Sequence, residues 1–181
     1  MKLWKLMSLA VMLLLILSAC DTVSDEPNGN GTGEYQSITV DNITLQWRTD
    51  TLGNLDVIVS APTTGWVSVG FDPTIGMEDA NIIIGYVSGD TAYARDDYGT
   101  GINTHEPDID GGGEDNILEL GGTETAGTTE ISFLIPLDSG DTRDRVLVIG
   151  NTYDVILAYG EDDADDFDSY HQARTTSQID L

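Results

Sequence analysis

Residues 66–71 read WVSVGF and residues 81–87 read NIIIGYV, and these two stretches decide the fold. Both are rich in the β-branched and aromatic residues that favour strands. In the first stretch, strand alternation places Val67, Val69 and Phe71 on one face and the even-numbered residues on the other. The pattern therefore predicts two neighbouring strands that are joined by the loop between them.

The chain on both sides of these stretches is divided in the same way. From Tyr35 onward, short runs of strand-forming residues are separated by Gly, Asp, Asn and Pro, and no stretch shows a sustained helical period. The further predicted strands lie within residues 37–40, 43–47, 55–59, 91–95, 117–120, 128–135, 146–149, 153–158 and 170–175, with a long Gly- and Asp-rich stretch at 96–113. About ten short strands predict an all-β, antiparallel β-sandwich that forms one domain, residues 35–181.

The charge of the chain excludes one class of partner. Its 181 residues include 32 acidic and 7 basic side chains, so the formal net charge is −25. A surface this acidic repels phosphate, and we expect no binding to nucleic acid. A single cysteine also rules out a disulfide within the chain, a CxxC zinc site and covalent attachment of haem through CxxCH.

The N-terminal residues have the pattern of an export signal. Lys2 and Lys5 precede an apolar run at residues 9–17, which is too short to span a bilayer comfortably. Residues 17–20 (LSAC) resemble the bacterial lipobox. We therefore expect a lipoprotein signal peptide at residues 1–19, lipidation of Cys20, and a flexible acidic and Gly-rich tether over residues 20–34.

This interpretation places the protein outside the cytoplasm, anchored to the cell membrane or the outer membrane by lipid. An ordinary secretory signal with cleavage near Ala19 and a free thiol at Cys20 is the alternative. In either case cleavage would leave five arginines against all 32 acidic residues.

General searches for catalytic or metal-binding motifs find little. A GxSxG nucleophile motif is absent from the sequence. The acidic run at residues 161–168 (EDDADDFD) lacks the spacing of a calcium loop, so a solvated loop is the better interpretation. Met77 and His171 are the remaining soft ligands, and their spacing alone does not distinguish ligands from ordinary side chains.

Several ordered motifs resemble those of DOMON domains. The first comprises residues 65–71 (GWVSVGF), Met77 and residues 79–87 (DANIIIGYV). Further blocks of the same family are similar to residues 105–108 (HEPD), 111–117, 129–137, 138–141 and 155–160, and its closing YHxxR motif is similar to residues 167–174 (FDSYHQAR). The resemblance extends over nearly all of residues 35–181.

The resemblance implies an immunoglobulin-like sandwich related to the cytochrome domain of cellobiose dehydrogenase. The haem-binding members of the family hold haem b at one end of the sandwich, between a methionine and a histidine. By position these axial ligands are Met77 and His171, and such a pair suits electron transfer because it leaves no open position on iron. The resemblance further suggests an aromatic lining and a partner for the haem propionates, the candidates being Trp66, Phe71, Tyr86, Tyr170 and Arg174.

Two points in this assignment stay open. Arg174 lies three residues after His171, so on a regular strand the two side chains would face opposite ways unless the chain bends. His105 is a surface loop residue, an alternative iron ligand or a partner for Asp108.

Two functions follow from the sequence. The first is a lipid-anchored electron carrier that serves an unknown redox partner protein and is not itself an enzyme. The second is a cofactor-free lipoprotein that binds a carbohydrate or another small ligand.

Overall fold

The computed structural model describes residues 33–181, and the predicted signal peptide, Cys20 and most of the tether lie outside these residues. Residues 33–181 form eleven strands and one short 3-10 helix. These elements are β1 (Gln36–Val40), β2 (Ile43–Thr49), β3 (Asn54–Ala61), β4 (Val67–Phe71), β5 (Asn81–Ser88), β6 (Thr91–Gly101), β7 (Thr104–Pro107), the helix η1 (Asp108–Gly111), β8 (Glu119–Thr125), β9 (Thr128–Pro136), β10 (Thr152–Gly160) and β11 (His171–Asp180).

The strands form two antiparallel sheets, as the sequence predicts. One sheet has the order β1-β2-β3-β9-β8, and the other has the order β11-β10-β4-β5-β6-β7. The core lies between the sheets and contains the inward-facing residues of both, among them Leu45, Val57, Val69, Ile83, Ile135 and Val155. Trp47 of β2 donates a hydrogen bond from Nε1 to the carbonyl of Asp180 in β11 at 2.9 Å, which links the sheets at one edge.

Local sequence explains the tight turns. Asp41 and Asn42 join β1 to β2, and both have positive φ, a conformation that Asp and Asn tolerate better than most residues. Gly89 has the same conformation in the turn between β5 and β6. Within residues 33–181, no helix has the length and the apolar composition that a membrane span requires.

Two details of the strand prediction are wrong. Residues 146–149 form no strand, because they have no neighbouring strand: Leu147 makes one backbone hydrogen bond to Leu137, and Val146 and Val148 are exposed. Conversely, part of the Gly- and Asp-rich stretch at 96–113 is extended, since β6 continues to Gly101 and pairs with β7. Strand pairing thus overrides local composition at both places.

Candidate functional site

A cleft of about 1830 Å³ lies over the outer face of the six-stranded sheet. Its floor comes from the central strands and includes Ser68, Ile84, Ile156 and Ala158. Its walls come from the β4–β5 loop, the β6–β7 hairpin, the segment at residues 161–170, and β11. The cleft is therefore built by parts of the chain that are far apart in sequence.

The sheet register determines which side chains form the floor. Ser68 lies opposite Ile84 and Ala158, so all three project from the same outer face. Gly70 follows on that face, and a Cβ added there would lie 2.7 Å from a carbon of Ile156. A side chain at this position would displace the isoleucine, so glycine allows the floor to pack closely.

The loop that carries Met77 is fixed by backbone contacts with the β6–β7 hairpin. The Met77 amide donates to the carbonyl of Ile102 at 3.1 Å, and the Met77 carbonyl accepts from the amide of Ala80 at 3.1 Å. A Cβ added to Gly99 would lie only 1.6 Å from the Met77 carbonyl oxygen. The two main chains can approach this closely only because residue 99 is glycine.

Asp79 braces the same loop with its side chain. Its carboxylate accepts hydrogen bonds from the hydroxyls of Thr74 at 2.6 Å and Tyr98 at 2.7 Å, and its amide donates to Gly99 at 2.8 Å. The hydrogen bonds from Thr74 and Tyr98 lower the pKa of Asp79. The position of Met77 is therefore held from both sides of the loop.

A β-bulge places His171 and Arg174 in the same cleft. Arg174 pairs with Ala158, but the register then shifts, so that His171 pairs with Gly160 and Gln172 is the extra residue. The bulge compensates for the odd separation of His171 and Arg174, and both residues line the cleft. This is the bend that the sequence analysis required.

The segment before β11 is held against the floor by Trp66. The Trp66 ring is buried, lines the cleft and donates from Nε1 to the hydroxyl of Ser169 at 2.9 Å. The ring packs over Gly160, where an added Cβ would lie 2.5 Å from Nε1. Tyr170 follows Ser169 at the rim of the cleft and is 87% exposed.

The structure does not place Phe71 and Tyr86 in the cleft lining. Phe71 is fully buried between the two sheets, because strand alternation turns it away from the face that carries Ser68. Tyr86 lies on the outer face of β5, but its ring packs against Phe167, with ring centroids 5.0 Å apart, and against Tyr93 at 5.2 Å. The Tyr86 ring therefore packs against these two rings and does not line the cleft.

One buried carboxylate organises two basic groups of the cleft. Arg95 forms two hydrogen bonds to Asp97, at 2.6 Å and 2.8 Å, and His105 contacts the same carboxylate through Nδ1. Burial opposes ionisation of Asp97, but the bonds from His105 and Arg95 outweigh it and lower the pKa of Asp97. The partner of His105 is thus Asp97, and not Asp108 as the sequence analysis considered.

The roles of Arg95 and Asp97 were not predicted from the sequence. The signal was present, since residues two apart on a strand share a face and an Arg and an Asp at that spacing can pair. The strand predicted from composition ends at Arg95, however, and Asp97 lies in the Gly- and Asp-rich stretch that follows it. Both Arg95 and His105 line the cleft beside this carboxylate.

Arg174 differs from the other arginines of the described residues. Arg48, Arg95, Arg143 and Arg145 each form an ion pair, whereas Arg174 lines the cleft and forms none with any residue from 33 to 181. Its exposed guanidinium is therefore available to an anionic group of a ligand in the cleft.

Two solved structures have the same fold as this chain. One is the cytochrome b domain of pyranose dehydrogenase from Coprinopsis cinerea, with a TM-score of 0.59 and 13% sequence identity, covering 81% of each chain. The other is the cytochrome domain of cellobiose dehydrogenase from Myriococcum thermophilum, with a TM-score of 0.58 and 11% identity, covering 81% of this chain and 82% of that one. Residues 39–160 match the family of DOMON domains, and we conclude that the chain belongs to this family.

Proposed function

We propose that the protein binds haem b non-covalently in the cleft, with Met77 and His171 as axial ligands, and that it transfers electrons. The observation that supports this best is that Met77 and His171, which are far apart in sequence, line one cleft. A thioether and an imidazole are a donor pair that suits haem iron. The pair would occupy both axial positions, so the proposal is an electron carrier and not an enzyme.

The remaining cleft residues fit haem as well. Ile84 and Ile156 give the floor an apolar surface, and Ile75 and Ile102 add exposed apolar side chains at the walls. An apolar macrocycle would cover the half-buried Ile156 and the exposed Ile75 and Ile102, which otherwise contact water. Arg174 would pair with a propionate, because its guanidinium is exposed in the cleft and the two charges are opposite.

The structural neighbours support the same function. Both are described as cytochrome domains, one of them as a cytochrome b domain. When bound, haem b would supply reversible one-electron exchange at iron. The chain would hold the group in place through Met77 and His171, and the apolar side chains of Ile75 and Ile102 would limit the access of water.

The sequence supports a location for this activity. Lipidation of Cys20 would anchor the domain to a membrane outside the cytoplasm, where it would exchange electrons with a redox partner protein. Replacing Cys20 by Ser should release the protein from the membrane fraction into the soluble fraction. Equal membrane association of both forms would contradict the anchor.

The direct test is an absorption spectrum of the full-length chain, produced with haem available, before and after reduction by dithionite. We expect a Soret band that shifts on reduction, with sharp α and β bands, as for low-spin six-coordinate iron. His171→Ala should largely abolish haem binding, and Met77→Ala should retain haem but give a high-spin or altered spectrum. His105→Gln is the control: His105 lines the same cleft but contacts Asp97, and glutamine keeps a hydrogen-bond donor for that carboxylate, so this variant should keep the low-spin spectrum.

Unchanged spectra in both ligand variants would overturn the assignment of Met77 and His171. A folded, colourless protein that takes up no added hemin would overturn the haem proposal itself. The cleft would then be the site for a carbohydrate or another small ligand, with the exposed ring of Tyr170 as a stacking surface, and glycan binding would be measured next.

A further inference from the structure

Three carboxyl groups, two of them buried and one half-buried, meet on the side of β6 that faces away from the cleft. They belong to Asp96 of β6, Asp108 at the start of the 3-10 helix, and Asp144 in the segment between β9 and β10. Each contributes an oxygen, and these oxygens lie within 4.8 Å of one another. Asp96 is opposite Ile83 in the register and therefore points inward, whereas its neighbours Arg95 and Asp97 point to the cleft.

The cluster contains buried oxygen atoms without hydrogen-bond partners. Asp108 is 1% exposed and neither of its carboxyl oxygens has a partner among residues 33–181, and Asp96 is 3% exposed with one such oxygen. Buried polar atoms are nearly always satisfied, since desolvation of an unpaired group costs about 1–3 kcal/mol. Several unpaired oxygens at one place therefore point to a group that would bind them.

Two amide oxygens extend the set of donors. Asn81 is 5% exposed, its Nδ2 donates to Asp144 at 2.7 Å, and the Oδ1 of the same amide has no hydrogen-bond partner among residues 33–181. Asn116 donates its backbone amide to Asp96 at 2.9 Å and also has an unpaired side-chain oxygen. The donors are thus carboxylate and amide oxygens alone.

The electrostatics of the cluster require a cation or protons. Burial, together with the neighbouring carboxylates, raises the pKa of Asp96 to about 8 and that of Asp108 to about 7, and burial also raises the pKa of Asp144. None of the ion pairs within residues 33–181 involves these three carboxyl groups. Arg143, the nearby arginine that affects Asp108, binds Glu106 and the carbonyl of Gly111 instead.

We propose that Asp96, Asp108 and Asp144, together with the side-chain oxygens of Asn81 and Asn116, bind a calcium ion. Calcium takes six to eight oxygen ligands in flexible geometry, and carboxylates with amide oxygens are its usual protein donors. The absence of nitrogen and sulfur donors from this set disfavours zinc and copper. The site is separate from the acidic run at residues 161–168 and independent of haem.

The ion would connect parts of the chain that are far apart in sequence. Asn81 begins β5 directly after the loop of Met77, Asn116 lies in the segment before β8, and Asp144 lies in the segment between β9 and β10. Ser139 contacts the Asp144 carboxylate and orients it. A bound ion would therefore hold these segments against the six-stranded sheet and stabilise the folded state.

The test is thermal unfolding of the full-length chain in detergent, first freed of metal by EDTA and then titrated with calcium. Sodium chloride at about 0.5 M reduces the Debye length to roughly 4 Å, which screens non-specific binding to the acidic surface. At a calcium concentration about 100 times Kd, the Tm should rise by about 5–10 °C. Magnesium at the same concentration should have a much smaller effect.

Asp108→Asn is the main variant, because the Asp108 carboxyl group makes no hydrogen bond that the substitution would break. This variant should fold. Without calcium its Tm should equal or exceed that of the wild type, and added calcium should no longer raise it. Asp96→Asn should behave in the same way and serves as the second variant. Asp41→Asn, an equal change of charge in the exposed β1–β2 turn, should keep the full rise.

Three results would overturn the proposal. The first is no change of Tm with millimolar calcium, and the second is an equal rise in the wild type and in Asp108→Asn. The third is an equal response to magnesium, which would refute the assignment to calcium. The absorption spectrum with haem is a separate measurement, so failure of one proposal can be distinguished from failure of the other.

Discussion

Asp97 holds two basic side chains of the cleft, Arg95 and His105, in place. Its side chain is fully buried, yet it is ionised, because Arg95 and His105 both bind its carboxylate. A buried carboxylate with two basic partners stabilises the fold only while all three are present. Removing one partner would leave a poorly solvated charge, so the trio acts as a unit.

We predict that Asp97→Asn lowers the free energy of unfolding by about 2–4 kcal/mol at neutral pH, because Arg95 loses its charged partner. The folded pKa of Asp97 is below its usual value, so its contribution is fully present above about pH 5 and is lost as the pH falls through the folded pKa. Urea unfolding of both proteins across this range should therefore show a difference that shrinks in acid. Asp90→Asn in an exposed turn should show almost no difference at any pH, and a pH-independent loss for Asp97→Asn would contradict the argument.

At the scale of elements, two irregularities position the proposed axial ligands. The bulge at Gln172 turns His171 toward the cleft, and the close contact between the β6–β7 hairpin and the β4–β5 loop fixes Met77. Neither feature belongs to a single strand, because each arises where two parts of the chain meet. The proposed ligands are thus held by the pairing of elements and not by their own local sequence.

We predict that Gly99→Ala destabilises the protein by about 1–3 kcal/mol, since the added Cβ would overlap the Met77 carbonyl and force the backbone apart. In haem-loaded protein, the same variant should alter the low-spin spectrum because Met77 moves. Gly101→Ala in the same hairpin is the control, as its Cβ would meet only the hydroxyl of Thr104 at 3.0 Å. Equal effects of the two substitutions on Tm and spectrum would contradict this role of Gly99.

At the scale of the whole molecule, net charge is the dominant feature. A formal charge of −25 on 181 residues creates repulsion that opposes the compact state. Among the described residues, the ion pairs all use the few basic side chains, so most acidic groups have no cation to offset them. Dissolved salt must therefore supply much of the screening.

We predict that Tm rises by several degrees when sodium chloride is raised from about 10 mM to about 1 M, because the Debye length falls from about 30 Å to about 3 Å. The measurement is made in EDTA, so that bound calcium makes no contribution. A variant in which four exposed acids become amides (Asp41, Asp90, Glu119 and Glu124) should show a smaller dependence on salt. An identical dependence, or no rise at all, would contradict the electrostatic explanation.

Much of the fold could be predicted from local pattern. The alternation at residues 66–71 indicated a strand whose faces the structure confirms, residues 81–87 form a strand as predicted, and the Asp41–Asn42 turn joins its strands as expected. The two errors, at residues 146–149 and in the stretch at 96–113, occur where composition and pairing disagree. A run of valine and isoleucine forms a strand only when a neighbouring strand pairs with it. A stretch of glycine and aspartate becomes extended when such a neighbouring strand is present.

The candidate site residues could also be predicted only in part from the sequence. Met77, His171 and Arg174 were identified from motifs in the sequence, and the structure brings all three to one cleft. The same motifs also suggested Phe71 as part of the aromatic lining. Strand alternation, however, already places Phe71 on the face opposite to that of Ser68. Met77, His171 and Arg174 thus share the cleft, whereas Phe71 lies outside it.

The sequence by itself determined the sandwich class, the acidic surface, the predicted anchor at Cys20 and the candidate ligands, because composition, alternation and motifs are local properties. Only the tertiary structure decided that a bulge brings His171 and Arg174 to one side, and that Asp97 binds Arg95 and His105. It alone brought Asp96, Asp108 and Asp144 together. These arrangements depend on register and on contacts between distant segments, and no local pattern encodes where such segments meet.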